Sequence, residues 1–292
     1  MTYRILQCFW NLLSRLPLCV MYGVSTVLFY PLYYLVRYRR KVVRKNLIES
    51  FPEKTLPEIL KIEKQFYRFF IDTIFETCKM ATISQKEISQ RMKFTNIEVI
   101  NAVLQQGKSI SLYLGHYGNW EWVSSMPLHL EKEIVAGQIY RKLSNKTVNR
   151  LLLHNRMRLG ATNIEMNETA RTINELVSSK KVSIIGYIAD QTPKKRDIRH
   201  YVPFLHHNTP VLVGTEKLTK RYGFEAWFLK VKRLKRGYYE AEFVRLHDKP
   251  QTLADFELTD LYYRHLEQAI FQQPEIYLWT HKRFKYAQKL DV

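Results

Sequence analysis

The residues of this chain best suited to acid–base work are His116 and Glu121, in the run Gly-His-Tyr-Gly-Asn-Trp-Glu. A carboxylate near an imidazole fixes the ring tautomer and stabilises the imidazolium that forms when the ring takes up a proton. Such a histidine is a general base for an otherwise poor nucleophile, an alcohol for example. The chemistry expected of the pair is deprotonation of a hydroxyl by His116, with Glu121 orienting the ring. Spacing alone is a weak signal, because His and Glu recur at this distance by chance. The run does not match H-E-x-x-H, and no metal-ligand set is predicted.

The surrounding pattern supplies elements that can position the pair. Ser109–Leu114 carries bulky residues in alternation and reads as a strand, followed by the turn Gly115–Gly118 and a helix from Asn119. Strand, glycine-bearing turn and helix start form a usual setting for an α/β active site. Apolar spacing predicts helices over 56–80 and 96–106. Further on, strands are expected at 133–139 and 182–189, the second stopping at Asp190-Gln191, and helices at 145–159 and 169–180. A strand pair over 225–233 and 238–245 turns at Gly237, and a last helix covers 254–273. The alternation predicts an α/β fold, a central and mostly buried mixed sheet flanked by helices.

An N-terminal membrane-anchoring helix precedes this body. Leu16–Val36 holds 21 residues without a charge, close to the length needed to cross a bilayer. Pro17 suits the helix start, Pro31 would kink its last turns, and Tyr22, Tyr30, Tyr33 and Tyr34 suit interfacial depth. Arg37–Lys45 follows with six positive charges in nine residues, a block that stays on the cytoplasmic side and is drawn to anionic headgroups. The chain therefore divides into an anchor with its basic flank, 1–45, and a catalytic domain, 46–292.

The formal net charge is +19, from 46 Lys and Arg against 27 Asp and Glu. A field of that sign favours a polyanionic partner such as nucleic acid, an anionic membrane surface, a phosphorylated lipid or an acidic carrier protein. No zinc-finger spacing or RNP-like aromatic motif is present, so nucleic acid is not expected. Cys8, Cys19 and Cys78 lack C-x-x-C spacing and read as free thiols.

Taken together, the motifs resemble those of the bacterial lipid A biosynthesis acyltransferases. The basic stretch leads into Asn46-Leu-Ile-Glu-Ser-Phe51-Pro52, similar to that family's N-x4-F-P region, and His116 to Glu121 falls on its H-x4-D/E signature. Tyr140-Arg141-Lys-Leu-Ser-Asn145, the arginine-bearing helix with Arg150, Arg156 and Arg158, and Ala189-Asp190-Gln191 follow in the family's order. Pro274-Glu-Ile-Tyr277-Leu-Trp279-Thr-His281-Lys-Arg283 resembles its P-x2-Y-x-W-x-H-x-R tail. The chain departs from the family in the loop Val202–Thr209, where His206 and His207 stand in place of glycine or small residues. The E-G-T-type phosphate motif of glycerolipid enzymes is not evident; Gly214-Thr-Glu-Lys217 has similar letters in another order.

The resemblance implies an O-acyltransferase that moves a fatty acyl chain from an acyl thioester to a hydroxyl of a lipid A precursor. The donor would be acyl carrier protein, or acyl-coenzyme A. The acceptor would be a phosphorylated or glycosylated membrane lipid, with another glycolipid, mannolipid or aminolipid as the alternative. It implies no cofactor, and a place on the cytoplasmic face of the bacterial inner membrane. Arg156 and the backbone N–H groups of Gly118 and Asn119 are the expected oxyanion donors. Arg141 and Asn145 would hold a phosphate, and Asp190 and Gln191 would shape the pocket. From a different class, a nonenzymatic membrane-binding protein would share the anchor and the basic block.

Overall fold

The computed structural model describes residues 2–131 and 133–289. Two helices, α1 (Thr2–Arg15) and α2 (Leu18–Tyr30), precede a π-helical turn over Pro31–Val36. Proline at position 31 cannot donate its share of the helical ladder, and the expected kink takes this wider form. Next come α3 (Arg40–Ser50), α4 (Leu56–Lys79) and α5 (Gln85–Arg91). A capping box between Thr55 and Glu58 starts α4 by satisfying orphan N–H groups. The remaining chain alternates as β1 (Met92–Thr95), α6 (Ile97–Gln105), β2 (Ile110–Leu114), β3 (Val135–Tyr140), α7 (Lys146–Arg158), β4 (Thr162–Glu165), α8 (Thr169–Ser178) and β5 (Ser183–Ile188). It ends with β6 (Tyr201–Phe204), β7 (His207–Pro210), α9 (Gly214–Tyr222), β8 (Glu225–Lys235), β9 (Tyr238–His247), α10 (Glu257–Gln272) and the short β10 (Gln288–Lys289).

Seven strands form one mixed sheet in the order β1-β9-β8-β2-β5-β3-β4. Only β8 and β9 pair antiparallel within it. The parallel neighbours β2, β5 and β3 therefore end on the same edge, where α/β proteins gather their chemistry. Strand β2 is buried along its whole length, as expected of a strand covered on both faces. The smaller sheet β10-β7-β6 is antiparallel. Its hairpin turns through Leu205 and His206, both with positive φ (52° and 62°). These are the turn positions where glycine or asparagine is preferred, so the two-histidine departure in the sequence is a hairpin built without glycine.

The apolar N-terminal segment is attached to this body by a ladder of polar contacts. From one face of it, the hydroxyl of Tyr22 donates to Glu76, that of Ser25 to Asp72 and that of Tyr33 to Glu63, at 2.8, 2.6 and 2.8 Å. The three carboxylates lie on α4, and all are buried. Burying a carboxylate is costly unless hydrogen bonds or cations satisfy it. Arg233 and Arg236 attend Asp72, and Arg40 and Arg44 attend Glu63. Tyr22 and Tyr33 thus turn their hydroxyls inward, whereas Tyr30 and Tyr34 are exposed. The opposite face, with Val20, Val24, Val27 and Leu28, is uncovered and continues into Leu35 and Val36, which are 79% and 67% exposed. Helix α1 adds Phe9 and Leu12 to the exposed apolar surface and is closed by Lys79, whose ammonium donates to the carbonyls of Ser14 and Leu16. A lysine there complements the negative end of a helix.

The hairpin between β8 and β9 completes the seat of α2. Gly237 has φ +71°, and a Cβ at that position would lie 2.0 Å from the Tyr22 hydroxyl. Only glycine permits both the turn and the approach.

Candidate active site

The run His116–Glu121 leaves the carboxyl end of β2 as an irregular loop, and no α-helix begins at Asn119. A 3-10 segment, Trp122–His129, follows instead. Pro127 lies inside it, removing an N–H and disfavouring α geometry at Met126. The loop is fixed from three sides. The C-terminal tail binds it through main-chain bonds from Gly118 N to Ile276 O and from Leu278 N to His116 O, 2.9 and 3.0 Å long. Helix α4 binds it through Asn119. Strand β8 packs under Gly118, whose φ is +66° and where a Cβ would meet Val231 at 2.5 Å.

The carboxylate on the histidine ring belongs to Asp190. Its Oδ1 lies 2.6 Å from His116 Nδ1, and its Oδ2 accepts the His116 backbone N–H at 2.8 Å. A carboxylate accepts only, so Nδ1 carries the proton and Nε2 is left with a lone pair. Gln191 Nε2 lies 3.3 Å from that Nε2. Asp190 and Gln191, expected from sequence to shape the pocket, thus both contact the His116 ring. Strand β5 delivers them to the ring because it pairs directly with β2. Burial alone would raise the Asp190 carboxyl; His116 through charge and two hydrogen bonds, and the Arg283 cation, hold it below the usual range.

Glu121 does not orient the ring. It is paired bidentately with Arg156 of α7, Oε1 to Nη2 at 2.6 Å and Oε2 to Nε at 2.9 Å. The two side chains are 10% and 18% exposed, a geometry with fork-to-fork specificity. Burial would lower the Arg156 guanidinium, and Glu121 raises it above its ordinary value. The pair closes the polar end of an apolar pocket lined by Trp120, Leu112, Leu114, Ala136, Gly186 and Ile188 among others. Trp120 lines the pocket and also meets His116, its ring edge-on with centroids 5.2 Å apart.

Other expected site residues are placed differently. The Gly118 amide is spent on Ile276 and is not an oxyanion donor. The Asn119 side chain is buried, with its oxygen accepting from Trp122 N and its amide donating to Glu76. Asn145 caps α7 by accepting from Thr147 N and Val148 N. Arg141 is exposed just beyond the carboxyl end of β3. Arg158 is structural, donating to the carbonyls of Met80 and Ile83. Glu216, in the run compared with glycerolipid motifs, receives Phe256 N and Thr259 N at the start of α10.

Sequence reasoning gave no role to His281 and Arg283, although it singled out the tail that carries them. Arg283 is 1% exposed and donates to Pro210 O and the Tyr263 hydroxyl. That hydroxyl in turn donates to Ala189 O beside Asp190. His281 Nε2 accepts the Thr192 amide at 3.1 Å, and burial together with nearby cations lowers its pKa to about 4. The folded protein then refuses a proton that unfolded chain takes near pH 6.5. Stability contributed here falls as pH drops from about 6.5 towards 4 and stays lost below. His281→Gln, whose carbonyl can accept the same amide without titrating, is expected to melt with a smaller decrease between pH 7 and pH 5 than the wild type. Parallel decreases in a calorimetric pH series would assign the acid sensitivity elsewhere.

A comparison with curated proteins gives no match. The family model of the bacterial lipid A biosynthesis acyltransferases matches residues 3–286, which includes His116, Asp190, the Glu121–Arg156 pair and the tail. On that match over almost its entire length, the chain belongs to the bacterial lipid A biosynthesis acyltransferase family.

Proposed function

We propose that this acyltransferase moves a fatty acyl chain from acyl carrier protein to a hydroxyl of a lipid A precursor, with His116 Nε2 as the general base. The observation that carries this reading is the ring held at Nδ1 by a buried carboxylate, one tryptophan away from an apolar pocket. The acceptor hydroxyl displaces the Gln191 amide from Nε2, gives up its proton there and attacks the thioester carbonyl. The tetrahedral intermediate collapses with cleavage of the C–S bond, and the departing thiolate takes the proton back from the imidazolium. No covalent acyl-enzyme is required. Asp190 stabilises the imidazolium in the interval.

Gln191 Nε2 and the Nη1 of Arg156, which Glu121 leaves uncommitted, supply hydrogen bonds to the oxyanion; loss of one such donor costs ~100-fold or more in rate. The acyl chain enters the pocket beside Trp120. Arg141 holds a phosphate, either of the acceptor or of the pantetheine arm. Residues 1–45 face the membrane and 46–292 carry the chemistry. The cationic run Arg37–Lys45 and the net charge of +19 suit the cytoplasmic face of the inner membrane and an acidic carrier protein.

Lipid mass spectrometry of cells with and without the protein, complemented by wild type or His116→Ala, tests the reading. Lipid A is expected to lack one acyl chain in the deletion strain, and only the wild type restores it. Loss of an acyl chain from another glycolipid or aminolipid keeps the chemistry and moves the acceptor. Full complementation by His116→Ala overturns the catalytic assignment.

A further inference from the structure

We propose that Glu76 is a positioning residue that couples the seating of the lipid-facing helix α2 to the geometry of the His116 loop. The proposal rests on the reading of His116 as the base. Glu76 sits in α4 with no exposed surface. Three donors converge on its carboxylate: the Tyr22 hydroxyl at 2.8 Å on Oε1, and the Tyr239 hydroxyl at 2.8 Å and Asn119 Nδ2 at 2.7 Å on Oε2. Its main-chain carbonyl accepts a fourth hydrogen bond, from Trp122 Nε1 at 3.0 Å. Asn119 and Trp122 belong to the loop and are themselves joined, Trp122 N donating to Asn119 Oδ1 at 3.0 Å.

Each donor has a different origin. Asn119 lies three residues from His116, Tyr239 comes from β9 of the large sheet, and Tyr22 comes from the helix whose other face presents Val20, Val24, Val27 and Leu28 to the outside. A carboxylate acting only as an acceptor fixes all its donors together, and hydrogen bonds in a dry site reinforce one another. The other two rungs of the ladder, Ser25 on Asp72 and Tyr33 on Glu63, touch no residue of the His116 loop. The Tyr22 rung alone among the three can carry a displacement of α2 to the base. Its loss lets Glu76 and Asn119 relax towards one another, and the loop with them. Misplacing a catalytic group by about 1 Å from a distance can cost on the order of 100-fold in rate.

The test compares the full chain with Tyr22→Phe, which deletes a single hydroxyl and keeps the ring, and with Ser25→Ala, which cuts a neighbouring rung that never reaches the loop. Turnover is measured on vesicles of phosphatidylethanolamine and phosphatidylglycerol carrying a lipid A precursor as acceptor, with acyl-loaded acyl carrier protein as donor and with vesicle flotation and thermal melting alongside. Tyr22→Phe is expected to lower kcat by roughly 10- to 100-fold, with KM for the acceptor, flotation and melting close to wild type. Ser25→Ala is expected to keep its kcat. Equal kcat in both variants and the wild type, or losses that simply follow melting temperature in both, would reduce the ladder to a structural brace. The His116 imidazole nitrogen resonances provide a readout that needs no turnover: they shift in Tyr22→Phe but not in Ser25→Ala if the coupling is real. Should the wild type itself transfer no acyl group, the reading of His116 fails, and the resonances still decide whether Glu76 positions the loop.

Discussion

Asp190→Asn is expected to lower kcat by about four orders of magnitude while the protein still folds, the size of loss seen when a histidine-orienting carboxylate becomes an amide in hydrolase triads. Asparagine keeps the size of the side chain and can still accept the His116 backbone N–H through its carbonyl. Its NH2 group would face Nδ1, and a donor there stabilises the tautomer with the proton on Nε2, the nitrogen proposed as the base. The stabilisation of the imidazolium disappears with the charge. Buried Arg283 would also lose the favourable charge of Asp190, so some loss of stability is expected in addition. Steady-state kinetics on Asp190→Asn, with circular dichroism to verify folding, is the check. A variant retaining a tenth or more of wild-type kcat would show that the ring does not depend on Asp190.

Glu121→Gln is expected to destabilise the protein by about 3 kcal/mol, because it leaves the largely buried Arg156 cation without its anion. Most of that cost is the stranded charge and not the net worth of the pair. Removing both charges, as Glu121→Gln with Arg156→Gln, should therefore be less destabilising than the sum of the single changes. Chemical denaturation of the four proteins measures the cycle. Additive effects would mean that the pair is too well solvated to matter, and that Glu121 is needed for another reason. The same variants separate two roles of the signature carboxylate. If Glu121 shapes the pocket mouth and not the imidazole, its loss should change preference among acyl donors before it changes the pH dependence of kcat.

The contrast between these two carboxylates explains what a single sequence could disclose. The histidine was legible, because it follows a buried strand and a glycine-bearing turn. Its partner was misassigned, because Glu121 is near in sequence while Asp190 is brought to the ring by the pairing of β2 with β5, a relation that spacing does not encode. The turn at Gly118 and the 3-10 segment after Glu121 send that side chain towards α7. Long periodic elements such as α4, α10 and the β8–β9 pair were readable within a few residues. The strands β4, β6 and β7 are four residues each, too short for alternation to stand out, and the Asn and Pro in them argue against strand. Helix α9 was hidden by a composition rich in Lys and Thr, its buried side chains being the polar Glu216 and Thr219.

The hydroxyl ladder beneath the apolar segment bears on how this enzyme can be produced. Membrane-bound enzymes are commonly trimmed of an N-terminal anchor to make them soluble. Here a cut after Val36 would strip Glu76, Asp72 and Glu63 of one donor each and open the face of α4 that α2 covers. A borrowed anchor of generic leucines would leave the same carboxylates unsatisfied. The side chains open to redesign are those the ladder does not use, Val20, Val24, Val27 and Leu28. Polar residues at those positions would loosen the hold on lipid and leave the catalytic body intact.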